Sequence, residues 1–290
     1  MTIDAWAWCD GSVRPLGEVA VSCADRTVLY GLGAFETVRL HGGRPFLFDR
    51  HLQRLRRSLA AIGLPAPAAL DALAAGVVEL AARADAPSAV CRVTVTGGTA
   101  PEASPACRSD SRTIALLRPA PAPERRPVQV GIAPFAHDPR SPLAGVKTTS
   151  YLEHYLQREA AEAAGRLDDL LLDLDGQVAE GTVSSVFGVR GGRIVTPPLS
   201  AGILAGVTRG VVFELARQLS IPIDERPLPA AELAALDECF LTGAGKLLVD
   251  VDILDGRPLP AARPVSTALK AALVRRIAET CGVAEASVRL

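Results

Sequence analysis

Of the 31 basic side chains in this 290-residue sequence only three are lysines, Lys147, Lys246 and Lys270; the other 28 are arginines. An arginine keeps its proton at neutral pH and forms no imine with an aldehyde, whereas a lysine amine does so once its surroundings lower its pKa. Any amine chemistry in this chain therefore has three candidates. Lys270 falls outside the apolar set Leu269, Leu273 and Ile277 of a helix predicted over 266–280, so it reads as a charge on a solvated helix face. Lys246 follows Thr242-Gly-Ala-Gly245. A phosphate-binding G-x-x-x-x-G-K-[ST] loop needs glycine at 240 and Ser or Thr at 247, where Phe240 and Leu247 stand. Lys147 ends Ser141-Pro-Leu-Ala-Gly-Val-Lys147, after a strand and just ahead of a long helix; by position alone a solvated loop lysine and a reactive amine are equally open.

The company of Lys147 favours the reactive reading. Glu180 ends a strand in Val178-Ala-Glu180-Gly-Thr182 and is followed by the hydroxyls of Thr182, Ser184 and Ser185. Val207-Thr208-Arg209 opens a helix behind Gly202 and Gly206, so free backbone N–H groups and the Thr208 hydroxyl are available to an anion. Arg54, in His51-Leu-Gln-Arg54, offers a bidentate positive clamp to the same anion. An amine for an aldehyde, an acid for a ring nitrogen and a cup for a phosphate are the parts needed to hold pyridoxal 5′-phosphate.

The elements that must position these residues are those of a large folded chain. Hydrophobic residues make up 49% and charged residues 22%, which excludes a disordered or fibrous chain. A net charge of −1 supplies no field for nucleic acid, and the short, interrupted apolar stretches give neither a signal peptide nor a membrane span, so a cytoplasmic chain is expected. The six cysteines are widely spaced, Cys107 among them, and read as buried free thiols; no histidine spacing suggests a metal site. A hairpin is predicted over 1–25, with its turn at Asp10-Gly11 and alternation in 18–22. A small-residue turn running into a strand follows over 30–39, with further strands over 45–48, 89–96 and 112–117 and helices over 49–62 and 71–84. The Pro/Ala run within 118–126 reads as an extended connector, giving domains 1–118 and 127–290 around a linker at 119–126. Beyond it come a strand over 128–132, a helix over 150–164 closed by Gly165, and a hairpin turning at Asp175-Gly176. A strand over 185–189, a helix over 208–219, a strand near 239–241 and the terminal helix complete an irregular order. That order argues α+β and against a doubly wound dinucleotide fold.

Six stretches carry a resemblance: Asp25-Arg26 through Arg39, His51-Leu-Gln-Arg-Leu55, Lys147-Thr-Thr-Ser-Tyr151, 173–187, 196–209 and Phe240-Leu-Thr-Gly243. Over nearly the whole chain the sequence resembles the class IV aminotransferases, the fold-type IV pyridoxal-phosphate enzymes. The resemblance implies two α+β domains with the cofactor in the cleft between them, and a homodimer. It implies that Lys147 forms the internal aldimine and moves the proton between the substrate and the cofactor. Glu180 pairs with the pyridine nitrogen, Tyr151 lies near the phenolic oxygen, and Arg54, Val207 and Thr208 hold the phosphate. Tyr30, Arg39 and Arg92 match positions that line the substrate side in branched-chain members. The implied reaction moves an amino group from a branched-chain-like amino acid to a 2-oxo acid. The alternative, 4-amino-4-deoxychorismate lyase, releases pyruvate and 4-aminobenzoate from the same lysine, and the stretch from Leu143 to Tyr151 also resembles the lyases.

Three departures qualify the match. Ala244 stands where many members place Thr or Ser, which removes one phosphate hydrogen bond worth roughly 0.5–1.5 kcal/mol. Ser185 replaces the usual asparagine, and Gly97 replaces the carboxylate-trapping arginine of the D-amino acid subgroup. Ala244 and Ser185 together raise a third reading, a non-catalytic member of the family.

Overall fold

The computed structural model describes residues 5–100, 109–122 and 127–290; Asp4, Cys107 and residues 123–126 of the expected linker lie outside them. The chain forms two compact units. The first comprises Met1–Pro121, Val146–Tyr151 and Ile277–Val288, and the second comprises Ala122–Gly145, Leu152–Arg276 and Arg289–Leu290.

In the first unit β1 (Trp6–Cys9), β2 (Ser12–Pro15), α1 (Arg26–Tyr30), β3 (Gly33–His41), β4 (Arg44–Pro45), α2 (Phe48–Ala61), α3 (Ala69–Arg83), β5 (Ser88–Thr96) and β6 (Thr113–Pro119) follow in order. The strands form one antiparallel sheet, β2-β1-β6-β5-β3-β4. Alternation on β5 sends Ala89, Cys91, Val93 and Val95 to one face, where Leu55 and Leu59 of α2 and Leu73, Val77 and Leu80 of α3 complete the core. Gly76 of α3 lies against the indole of Trp8, where a Cβ would overlap Nε1. Gly76→Ala, a gain of about 1 kcal/mol in helix propensity on an open helix face, is therefore expected to cost roughly 1–3 kcal/mol by overpacking, read as a lower denaturant midpoint.

The second unit holds β7 (Gln129–Ile132), α4 (Leu152–Ala163), β8 (Asp168–Leu172), β9 (Val178–Gly181), β10 (Ser185–Arg190), β11 (Arg193–Thr196), α5 (Val207–Gln218), β12 (Ile223–Glu225), β13 (Glu238–Gly243), β14 (Leu247–Asp250), β15 (Ile253–Leu254), β16 (Arg257–Pro258) and most of α6 (Pro264–Cys281). Two five-stranded sheets, β12-β11-β10-β13-β14 and β16-β15-β7-β8-β9, share an apolar core that includes Val130, Leu170, Val186, Leu228 and Leu241. The mixed helices and sheets are α+β.

Four expectations change. The alternation over 18–22 is no strand: Leu16–Glu18 is a single 3-10 turn with no buried residue, so the alternating side chains have no face to bury. The strand expected over 45–48 shrinks to β4, because Leu47 at φ 52° turns the chain into α2. Lys270 is not a lone charge on a solvated helix face; it is half-buried, and its Nζ lies 2.6 Å from Asp250 Oδ2. Cys23 is exposed, unlike Cys9, Cys91, Cys239 and Cys281. No helix among the described residues is long and apolar enough to cross a membrane.

Candidate active site

Lys147 belongs to the first unit, in the short segment Val146–Tyr151 that joins it from far along the chain. Its backbone is fixed on both sides: the N–H donates to Ser58 Oγ on α2 (3.2 Å), and the carbonyl accepts from the Phe35 N–H on β3 (3.1 Å). Thr149 extends the clamp, donating from N–H to the Gly33 carbonyl (2.9 Å) and from its hydroxyl to the Gly31 carbonyl (2.6 Å). Gly33 is required there, since a Cβ would approach the Val95 carbonyl and the Thr149 hydroxyl to under 3 Å. The side chain reaches over an aromatic corner. Lys147 Nζ is 4.3 Å from the Phe35 ring centroid and 5.7 Å from that of Tyr151, and the two rings meet edge to face at 5.2 Å. Arg92 covers Phe35 as well, with its guanidinium 3.8 Å from the ring centroid. Phe35 thus gathers Lys147, Tyr151 and Arg92 around one side chain.

Arg54 has a partner that the sequence reading missed. Its Nε and Nη2 grip Glu36 Oε1 and Oε2 at 2.7 and 2.8 Å, and His51 Nδ1 lies 2.8 Å from Oε2. A carboxylate only accepts, so Nδ1 carries the proton. Burial alone would push the Glu36 carboxyl up, but the Arg54 and His51 bonds outweigh it and hold the group down at about 2. Burial lowers the His51 pKa, against the pull of Glu36, so its ring is neutral at neutral pH. The available signal was an acid in an inward register position of an apolar strand, facing a helix with His and Arg at i and i+3. Tyr30 is 67% exposed on α1, its ring contacted by Arg26, while Arg39 is buried on β3.

In the second unit Glu180 is buried near the end of β9, and its two carboxylate oxygens accept from the Leu204 N–H at 3.3 and 3.2 Å. Two residues after Leu204 comes Gly206, the N-cap of α5, which has no side-chain cap. The segment that holds Glu180 therefore leads directly to the open helix N-terminus at Val207 and Thr208. A Cβ on Gly206 would crowd Ser185 Oγ. Ser185 pairs across the sheet with Thr242, whose Oγ1 is buried without a hydrogen-bond partner. Arg209 points elsewhere, donating from Nη2 to the Pro197 carbonyl (2.8 Å) and Glu225 (2.9 Å). An uncapped helix start beside an unsatisfied hydroxyl fits a phosphate, and the glycine cap leaves it room.

Asp168, also unread in the sequence, holds the turn after Glu180. It accepts from the Thr182 N–H (2.9 Å), the Thr182 hydroxyl and the Ser184 hydroxyl (2.6 Å), and burial raises its pKa despite these bonds. Among the described residues no group of three or more His, Cys, Asp or Glu is arranged to hold a metal ion.

Comparison with known proteins identifies the family and the fold. The family model described as amino-transferase class IV covers residues 33–254, and the chain belongs to that family. A Methanocaldococcus jannaschii protein, provisionally named a branched-chain-amino-acid aminotransferase, is 32% identical over 246 residues, 83% of this chain and 84% of its own. The branched-chain aminotransferase of Thermoproteus uzoniensis, solved with norvaline, superposes with a TM-score of 0.85 at 27% identity, covering 94% and 95% of the two chains. The 4-amino-4-deoxychorismate lyase of Pseudomonas aeruginosa gives 0.79 at 30% identity, covering 93% and 98%.

Proposed function

We propose that the chain is a pyridoxal-phosphate aminotransferase that passes the amino group of a branched-chain-type amino acid to a 2-oxo acid through Lys147. The observation that carries this reading is the setting of that lysine: the backbone is bonded to two elements, and the amine rests on the Phe35 and Tyr151 rings. Lys270, by contrast, is tied up with Asp250. When bound, the cofactor supplies an aldehyde that captures amines and a conjugated ring that accepts an electron pair. Lys147 Nζ then serves as base and acid at the substrate α-carbon, and the aromatic walls exclude water from the transfer. Glu180, steadied by Leu204, would pair with the ring nitrogen and keep it protonated. The N–H groups at Val207 and Thr208 would hold the phosphate, with Arg54, whose orientation Glu36 sets, as the further clamp. Tyr151 would lie near the phenolic oxygen, while Tyr30, Arg39 and Arg92 would receive the substrate. The enzyme works as a cytoplasmic homodimer.

Borohydride treatment of the cofactor-loaded protein, followed by peptide mass mapping, tests the assignment. The expected result is a pyridoxyl mass on the Lys147 peptide alone; the same mass on a Lys246 or Lys270 peptide would overturn it. The likeness to the Pseudomonas lyase supports a second reading, elimination of pyruvate from aminodeoxychorismate. The two separate cleanly: pyruvate release from that compound, with no amino transfer from branched-chain amino acids to 2-oxoglutarate, selects the lyase.

A further inference from the structure

In the second unit Ser185 opens β10 and Thr242 comes next to last on β13; the two are directly paired, as are Phe187 and Phe240 further along. Directly paired residues share a face of the sheet, and so do residues two apart on one strand. Ser185, Phe187, Phe240 and Thr242 therefore stand on one face, while Val186 and Leu241 join the apolar core on the other. Phe187 identifies what covers the first face: its ring stacks on Phe240 at 5.0 Å and meets Phe213 of α5 edge to face at 6.4 Å. The helix lies over this face with its start at the hydroxyl end, because a Cβ on its N-cap, Gly206, would come within 2.8 Å of Ser185 Oγ.

Thr242 is 3% exposed, and its Oγ1 has no hydrogen-bond partner among the described residues. A buried hydroxyl left unpaired is costly, so it marks a place where a further group is due. The neighbouring side chains do not supply one. Leu248 flanks Thr242 on β14 with only carbon in its side chain, and Gly243-Ala244-Gly245, which follow it, carry no polar side chain. On the remaining side the start of α5 brings unbonded N–H groups and the positive end of the helix dipole. Donors that converge on one spot call for an acceptor that takes several hydrogen bonds at once, which is what the oxygens of an anion do.

We propose that the Thr242 hydroxyl is a ligand of the cofactor phosphate, donating from the sheet to the group that Val207 and Thr208 hold from the helix. The inference rests on the pyridoxal-phosphate reading above, which supplies the anion, and deepens it by a residue on a different element.

Thr242→Val removes the hydroxyl while keeping the shape and the strand preference. Absorbance titration of the cofactor-free protein with pyridoxal 5′-phosphate is expected to show a roughly 10- to 100-fold weaker affinity in this variant, the range of a hydrogen bond to a charged group. Affinity for pyridoxal, which lacks the phosphate, should not change, and Thr242→Ser should recover most of the loss. The cofactor-free Thr242→Val protein should denature at the parent temperature or above it, because the methyl replaces a hydroxyl that had no partner. A hydroxyl that served only the fold would do the reverse, lowering that midpoint and weakening both aldehydes equally. Either of those results, or an unchanged affinity for pyridoxal 5′-phosphate, would overturn the proposal. If the parent takes up neither aldehyde, the cofactor reading fails on its own, and a phosphorus NMR titration with inorganic phosphate still decides the role of Thr242. Phosphate binding that weakens in Thr242→Val supports the role; equal binding, or none in either protein, overturns it.

Discussion

Lys147→Ala is expected to abolish the borohydride-fixed pyridoxyl adduct and to lower amino transfer by at least ~10²–10⁴-fold, the usual contribution of a positioned proton-transfer group. The loss should appear in kcat, because the substrate-side residues Arg39 and Arg92 remain. The fold should tolerate the change: the two backbone bonds of residue 147, to Ser58 and Phe35, do not depend on its side chain. Lys270→Ala is the matched control. It breaks a part-buried ion pair with Asp250 and so costs stability, but activity at a temperature where the variant stays folded should be kept. Exogenous methylamine offers a sharper check, since a small amine that enters the vacated space can partly replace the missing base. If Lys147→Ala still carries the adduct or turns over at the parent rate, the assigned amine is wrong.

Residues that carry chemistry were legible in this sequence where their type is scarce or their spacing unusual. Three lysines among 31 basic residues made Lys147 visible, and the glycines at 202 and 206 marked the start of α5. Helical periods located α2, α3 and α5 to within two residues, since their apolar faces bury. Partners that act across the fold stayed hidden. Glu36 looked like an ordinary strand residue until Arg54 and His51 closed on it from α2, and Asp168 needs the later Thr182 and Ser184 to show its purpose. Phe35 is another such residue: nothing local says that Arg92 from one distant stretch and Lys147 and Tyr151 from another meet on its ring. Lys270 was misread because amphipathicity counts apolar neighbours and cannot see an acid on another strand. The strand pattern over 18–22 failed for the converse reason, that alternation without a sheet to join specifies nothing.

Glu36→Gln is expected to destabilise the chain by about 3–5 kcal/mol, because it leaves the buried Arg54 charge without its carboxylate. Its pH dependence identifies the cause. The folded Glu36 carboxyl sits at about 2, below its ordinary 4.5, so the unfolded chain takes up the proton first as acid is added. The stabilisation from this group is thus complete above about 4.5 and fades as pH falls from there toward 2, a loss of about 3 kcal/mol at 1.36 kcal/mol per unit. His51 adds acid sensitivity of the same sign, since burial lowers its pKa below 6.5. Subtracting the stability of Glu36→Gln from that of the parent at each pH removes much of the His51 share and isolates the carboxylate. The difference should hold steady from pH 7 to about 5 and shrink below that; a flat difference down to pH 3 would mean that the carboxylate contributes no charge. A second readout ties the pair to the site. With Arg54 no longer held in its bidentate grip, cofactor dissociation should quicken in Glu36→Gln even under conditions where the variant is fully folded, whereas Gly76→Ala, destabilised by a purely steric route, should release cofactor at the parent rate.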